Sequence, residues 1–381
     1  MAMVINEEQQ MLKESAAGFL AEFAPVTELR KQRDAGSEKG YADNLWRQMA
    51  DMGWAAILVP EAYGGLEFGH VGMGQIVEQT GRSLTASPLF STAILGVTAI
   101  NHAANAAQKT ELLGAIAAGE LTTALAVDEK IHHAPTLISM TASANEQGDG
   151  YILNGCKCFV ADGSVADKLI VAARTSGKSG DIAGISLFIV DRTAAGIEVD
   201  RREMVDCRNY ANISFNNVPV TDAELLGEAG GGFHALSATL DAGNAFLAAE
   251  MLGIAQQTFD TTLQYLKERK QFGVLIGSFQ ALQHRAAHWW SEIELCKSVV
   301  LKALQALDES DAKSPLLVSI AKAKLCEVAE LATNEAIQMH GGIGMTDEYD
   351  VGFYIKRARP AAMLFGDYSY HGDRFALLSG Y

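Results

Sequence analysis

The chain has 381 residues, 49% of them hydrophobic and 20% charged, with 30 Lys and Arg against 46 Asp and Glu for a formal charge of −16. That length and apolar share argue against disorder and suit a protein of two or three folded domains. The acidity argues against a nucleic-acid or anionic-membrane surface, since either needs a basic face, so any anionic ligand has to meet local positive charge. Five cysteines (Cys156, Cys158, Cys207, Cys296, Cys326) form no CxxC pair, which fits a reducing compartment and no zinc site. The first residues carry acids where a signal peptide wants bases, and no stretch has the apolar length that spans a bilayer, so the expected location is cytoplasmic.

From Glu7 to about Ala118 apolar residues recur at threes and fours, as in MLKESAAGFLAEF and NLWRQMADMGWAAI, with a turn at Pro60–Gly65. The texture changes between Leu121 and Gly227 to β-branched and alternating runs: TLISMTASA, YILNGCKCFV, KLIVAAR, GISLFIV and NISFNNVPV. Gly148-Asp149-Gly150 and Asn154-Gly155 read there as turns. Helical periodicity returns from His234 in three long segments that suit a bundle. The expected architecture is a multi-domain α+β protein: an N-terminal helical domain (1–119), a central antiparallel β domain (120–227) and a C-terminal four-helix bundle (228–381). Ser176–Asp181 (SGKSGD) reads as the most mobile loop.

Most chemical motifs reduce to structural ones. Gly177-Lys178-Ser179 lacks the earlier glycine of a phosphate loop, because Ala172 stands there, and it joins two β runs. His284 and His288 share a helix face but have no glutamate between them, so no metal is expected. No serine or cysteine has a nucleophile's neighbourhood. Gly230-Gly231-Gly232 suits a helix start, and Gly341-Gly342-Ile343-Gly344 suits a helix stop after Gln338-Met339-His340 that would also let a ligand approach bare backbone. The second cluster stands out in combination with Glu268-Arg269-Lys270-Gln271-Phe272-Gly273 and Ser278-Phe279-Gln280.

With those segments the sequence resembles the acyl-CoA dehydrogenase family of flavoproteins. The resemblance covers nearly the whole chain through VPEAYGG (59–65), LNGCKCFVADGSVADKLIVAAR (153–174), LLGEAGGGF (225–233), YLKERKQFGVLIGSFQALQH (265–284) and IQMHGGIGMTDEY (337–349). It implies the helix–sheet–helix order, FAD as cofactor, an acyl-CoA substrate, a role in lipid catabolism, a homotetramer or heterotetramer, and an electron-transfer flavoprotein as acceptor. It further implies that Arg269 meets the FAD pyrophosphate, that Phe272 and Gln280 line the adenosine side, and that Gln338, Gly341 and Gly342 offer an amide and close backbone, all to a neighbour's flavin.

The residues implied for this chain's own flavin depart from the family pattern. Val127 and Phe159 keep their places, but the threonine of the first flavin motif is Asp128, and the W-I-T of the second is Phe159-Val160-Ala161. The resemblance also implies a glutamate base that removes the α-proton while a hydride leaves the β-carbon. Its two known positions hold Phe365 and Gly243, so the catalytic residue is unknown. Asp367 and Asp241 are weak candidates, and Asp241 lies about 200° round the helix from the Gly243 position. Glu250 is on nearly the same face as Gly243, but on the order of 10 Å along the axis. The pattern points to a subunit that completes a neighbour's site and relies on a second acyl-CoA dehydrogenase-like chain for the base. The alternatives are a self-sufficient homotetramer with an unusual base and a scaffold that has lost flavin.

Overall fold

The computed structural model describes residues 3–145 and 150–381, so the turn expected at Gly148 and Asp149 lies outside the described residues. The first region is helical: α1 (Glu7–Phe23), α2 (Val26–Asp34), α3 (Asp43–Asp51), α4 (Gly69–Ser83), α5 (Val97–Ala103) and α6 (Ala106–Ala117). Helices α1 and α6 both start at a capping box, Asn6 with Gln9 and Asn105 with Gln108, which satisfies otherwise orphaned N–H groups. A wholly buried π-helical stretch, Leu89–Gly96, runs into α5.

The next eight strands form one sheet: β1 (Thr123–Ala126), β2 (Thr141–Ala144), β3 (Tyr151–Ala161), β4 (Lys168–Arg174), β5 (Ile185–Asp191), β6 (Ile197–Glu203), β7 (Asn209–Val220) and β8 (Leu225–Leu226). Their order is β6-β7-β3-β2-β4-β5-β8, with β1 also on β4. Most pairs are antiparallel, as expected, but β1 runs parallel to β4 and Thr141 bridges Arg174 in parallel, so the sheet is mixed. A parallel partner needs a long connection, and the chain between β1 and β4 carries two further strands. All four residues of β1 are buried, the texture of a covered parallel strand.

Three local outcomes differ from the pattern in the sequence. Strand β6 was hidden by its charges, which suit an exposed edge strand. Only Thr141–Ala144 of TLISMTASA is extended, because the Glu129 carboxylate accepts the N–H groups of Ser139 and Met140 at 2.8 and 2.9 Å, and Arg174 Nε donates to the Ile138 carbonyl at 2.7 Å. Those side chains occupy groups a strand would use. The SGKSGD loop is tethered: Arg174 donates to the carbonyls of Asp181 at 2.6 Å and Ala183 at 3.2 Å, and Asp181 accepts the Lys178 N–H at 2.8 Å.

The last region holds α7 (Phe233–Glu268), a small hairpin of β9 (Lys270–Gln271) and β10 (Val274–Leu275), then α8 (Gln280–Asp308), α9 (Ser314–His340), α10 (Val351–Met363) and α11 (Tyr368–Leu378). Periodicity anticipates the three long helices; α10, interrupted by Pro360, and the short α11 emerge in the structure. Contacts group the chain into two compact units. One comprises Met1–Arg30, His70–Thr85 and Asn244–Tyr381; the other comprises Lys31–Gly69 and Ala86–Gly243. The core of the first lies along α7, α8 and α9, with Phe246, Met251, Ile293, Val300 and Leu325 buried. The core of the second is the sheet, where Leu169–Ala173 and Ile185–Leu187 are fully buried, Ser186 among them. Among the described residues no helix is long and apolar enough to cross a membrane.

Candidate active site

In the first unit, the Arg269 N–H closes the last turn of α7 on the Tyr265 carbonyl at 2.9 Å, and the chain then enters the β9–β10 hairpin. The Arg269 side chain is exposed, and among the described residues it has no hydrogen bond or ion pair. Phe272 sits at the hairpin tip with φ 55° and is 91% exposed, 6.3 Å from the ring of Phe279. Gln280 opens α8, exposed. At the end of α9, Gln338 is exposed and Gly341 stops the helix with φ 64°; a Cβ added at Gly341 or Gly342 would meet open space. The Tyr265 ring stacks on His340 at 4.3 Å, which ties the Arg269 segment to the Gly341 turn. A free guanidinium, an exposed aromatic ring and open backbone make a surface suited to a phosphate ester carrying a planar base.

In the second unit, Val127 is buried and its carbonyl accepts Lys157 Nζ at 2.9 Å. Lys157 is itself wholly buried and ion-paired to Glu129 at 2.9 Å. Burial pulls its ammonium below the ordinary lysine range, and the Glu129 carboxylate opposes that pull. Asp128 places both carboxylate oxygens 2.9 and 3.0 Å from His133 Nδ1, and its carbonyl accepts the Cys158 N–H at 2.7 Å. Phe159 has φ 51°, is 40% exposed, and donates its N–H to Asn212 Oδ1 at 3.2 Å. Val127 and Phe159 are thus joined through this hydrogen-bonded junction, with the Asp128–His133 contact where the resemblance implies a threonine hydroxyl. The Cys158 thiol is pushed up to about 11, chiefly by burial, and is no nucleophile at neutral pH.

The two positions at which the resemblance implies a base, Phe365 and Gly243, have no carboxylate. Phe365 is buried with φ 57°, and its carbonyl accepts Asn244 Nδ2 at 3.3 Å and His371 Nε2 at 3.2 Å. On either side, the buried Lys322 ammonium donates to the carbonyls of Leu364 and Gly366 at 2.8 and 2.9 Å, and to Ala362 at 3.3 Å. Burial lowers Lys322 to about 8, which leaves it mostly protonated at neutral pH. The nearby acids have other work. Glu250 is buried and bonds Arg357 at 2.6 and 2.9 Å, and Asp367 caps α11 by accepting the Tyr370 N–H at 3.0 Å. Asp241 is buried within α7, opposite to the solvated position its charge suggests. Gly243 precedes Asn244, whose amide reaches the Phe365 turn.

His284 and His288 lie exposed on α8, and among the described residues no cluster suits a metal ion. Sequence reasoning missed Tyr265, His340, His133, Lys157 and Lys322. The two lysines sit in stretches that read as ordinary solvated positions, and only tertiary contacts reveal their burial.

Comparison with known proteins shows the family. Models of the N-terminal, middle and C-terminal domains of acyl-CoA dehydrogenases match residues 6–120, 128–218 and 230–376. The chain belongs to the acyl-CoA dehydrogenase family. Cyclohex-1-ene-1-carbonyl-CoA dehydrogenase of Geobacter metallireducens is 34% identical over 325 residues, 84% of each chain. Butyryl-CoA dehydrogenase from Megasphaera elsdenii superposes with a TM-score of 0.91 at 26% identity, covering 99% of this chain and 100% of that one. A variant of the Tcur3481-Tcur3483 steroid ACAD superposes with a TM-score of 0.87 at 29% identity, covering 98% of both. The cofactor that acyl-CoA dehydrogenases imply is FAD. The exposed, unpartnered Arg269 beside Phe272, with open space over Gly341 and Gly342, fits its nucleotide half.

Proposed function

We propose that this chain is a subunit of an FAD-dependent acyl-CoA dehydrogenase that introduces an α,β double bond into an acyl-CoA thioester, with the glutamate base supplied by a partner chain. One observation carries the reading. Both positions implied for the base lack a carboxylate, and of the neighbouring acids Glu250 is tied up in a buried ion pair and Asp367 in a helix cap, while Arg269, Gln338, Gly341 and Gly342 stay open. The solved steroid ACAD named for two components, Tcur3481 and Tcur3483, supports a two-chain arrangement.

In this reading Arg269 neutralises the pyrophosphate of the partner's FAD through charge-assisted hydrogen bonds, and Phe272 with Gln280 lines its adenosine. Gln338 and the bare peptide groups at Gly341 and Gly342 fix its position. FAD supplies the acceptor for the hydride leaving the β-carbon, and the electrons pass on to an electron-transfer flavoprotein. Phe365 and its tethered turn fill the place of the base with an apolar ring, so no group there takes the α-proton. The three segments 1–119, 120–227 and 228–381 serve as the helical, β and bundle parts of this architecture.

The test is acyl-CoA-dependent flavin bleaching by the chain alone and after co-expression with a neighbouring dehydrogenase-like gene, with native mass and flavin content read in parallel. Flavin and turnover that appear only with the partner are the expected result. Full turnover by the chain alone, abolished by Asp367→Asn or Asp241→Asn, would replace this reading with the self-sufficient homotetramer. Loss of flavin in both samples would favour the scaffold. Arg269→Ala is expected to weaken FAD binding by about ten- to a hundred-fold, the worth of one hydrogen bond to a charged group. Unchanged flavin content would remove the pyrophosphate assignment.

A further inference from the structure

The His340 ring is buried at 3% exposure between two tyrosines, with Tyr265 stacked at 4.3 Å and Tyr349 tilted at 4.9 Å. Its Nδ1–H donates to the Ala336 carbonyl at 2.7 Å, which leaves Nε2 as a buried lone-pair acceptor with no hydrogen-bond partner among the described residues. The Tyr265 hydroxyl donates to the His340 carbonyl at 3.4 Å. Each stacked residue is joined to one half of the nucleotide surface: the Tyr265 carbonyl accepts the Arg269 N–H, and His340 directly precedes Gly341. Past this stack α7 runs into the β9–β10 hairpin and α9 into a 3₁₀ turn, Gly341–Met345.

We propose that neutral His340, clasped between Tyr265 and Tyr349, is the positioning residue that holds Arg269 in register with the Gly341–Gly342 backbone for the flavin nucleotide. This rests on the nucleotide assignment made above. The physical reason is the closed environment of the ring. A second proton on Nε2 would be a buried charge without an acceptor, so acid forces the ring out of its stack and separates the two halves. The groups packed against it are Tyr265 from α7, Tyr349 from the segment before α10 and the Ala336 carbonyl of its own helix, while the carboxylates of Glu268 and Asp350 act on Tyr349. Asp350 is held by Arg30 at 2.8 Å, and Glu335, five residues before His340 on α9, is held by Arg285 at 2.6 Å. Burial draws His340 below the ordinary 6.5, in line with a neutral ring. The sign follows: the unfolded or unclasped state binds the extra proton more readily, so the clasp is intact above about pH 6.5 and weakens as pH falls below it.

The experiment measures the FAD dissociation constant by flavin fluorescence, in the oligomer that binds flavin, between about pH 8 and pH 5. The parent is expected to lose about ten-fold or more in affinity across that range. His340→Phe keeps the stack and cannot titrate, so its affinity near pH 8 should stay within about three-fold of the parent and the acid loss should disappear. His340→Ala should weaken binding about ten-fold at every pH. A structural residue would shift the melting temperature without changing the pH profile. An acid loss that persists unchanged in His340→Phe, or unchanged affinity in His340→Ala, overturns the proposal while leaving the function reading standing. If Arg269→Ala also leaves affinity unchanged, the nucleotide assignment fails, and the proposal falls with it.

Discussion

Arg357 and Glu250 form the buried ion pair of the bundle, each side chain only 4% exposed. Two charges out of water are tolerated because each offsets the other's desolvation, and removing one takes that compensation from a buried charge. Arg357→Ala should therefore cost about 3–5 kcal/mol, read from the denaturant midpoint, and a cost under about 1 kcal/mol would show that solvent reaches Glu250. In the other unit the acids have less company. Burial raises the Asp162 carboxyl to about 6 although Ser91 Oγ donates to it at 2.6 Å, and Asp206 is likewise raised to about 6. From the ordinary value of 3.8 up to about 6 the folded chain holds protons that the unfolded chain has released, so these two groups make stability fall as pH rises through that window and leave it level above. Asp162→Asn keeps an acceptor for Ser91 and removes one of the two titrations. Chemical denaturation of this variant between about pH 4 and pH 6 should show a shallower decline than the parent, and an identical slope would mean that Asp162 is charged throughout.

At the scale of elements, the crossing of α4 and α7 is set by two glycines. A Cβ at Gly81 would stand 2.1 Å from the Glu250 carbonyl oxygen, and one at Gly253 would stand 1.9 Å from the Glu78 carbonyl oxygen. The contacts are with backbone, which cannot rotate away, so the helices would have to part along their length. Gly253→Ala is expected to destabilise by about 1–3 kcal/mol, more than offsetting any gain in helix propensity, and a melting temperature equal to or above the parent's would refute this close approach. The turn between α10 and α11 shows a different economy. A phenylalanine with positive φ is costly, and it persists because Asn244, His371 and Lys322 fix three successive carbonyls around it.

For the whole molecule, the exposed apolar side chains concentrate the question of assembly. Phe272 and Tyr381 are 91% exposed, Met345 77% and Leu377 73%, and all four belong to the bundle unit. Large apolar groups left in water mark surfaces that find a partner. Sedimentation of the protein together with its partner chain should therefore give a dimer or larger assembly. Separate monomers at micromolar concentration would contradict both the proposed shared flavin site and the role proposed for Arg269. On a chain with a net charge of −16, Arg269 and Lys270 form a local cationic point, which favours an anionic ligand.

The sequence by itself determined the order of helix, sheet and helix and the family, because these rest on local periodicity, on turn glycines and on contiguous motifs such as RKQFG and QMHGG. The same motifs carry the proposed flavin contacts, and the resemblance places Phe365 and Gly243 at the proposed base positions. The tertiary structure decided what distant side chains do for one another. It made β1 parallel to β4, gave β6 a place at the sheet edge, buried Lys157 and Lys322, tied Glu250 to Arg357, and clasped His340 between two tyrosines. Each of these depends on partners separated along the chain, so its energy comes from desolvation and contact across the fold, which no local window of residues encodes.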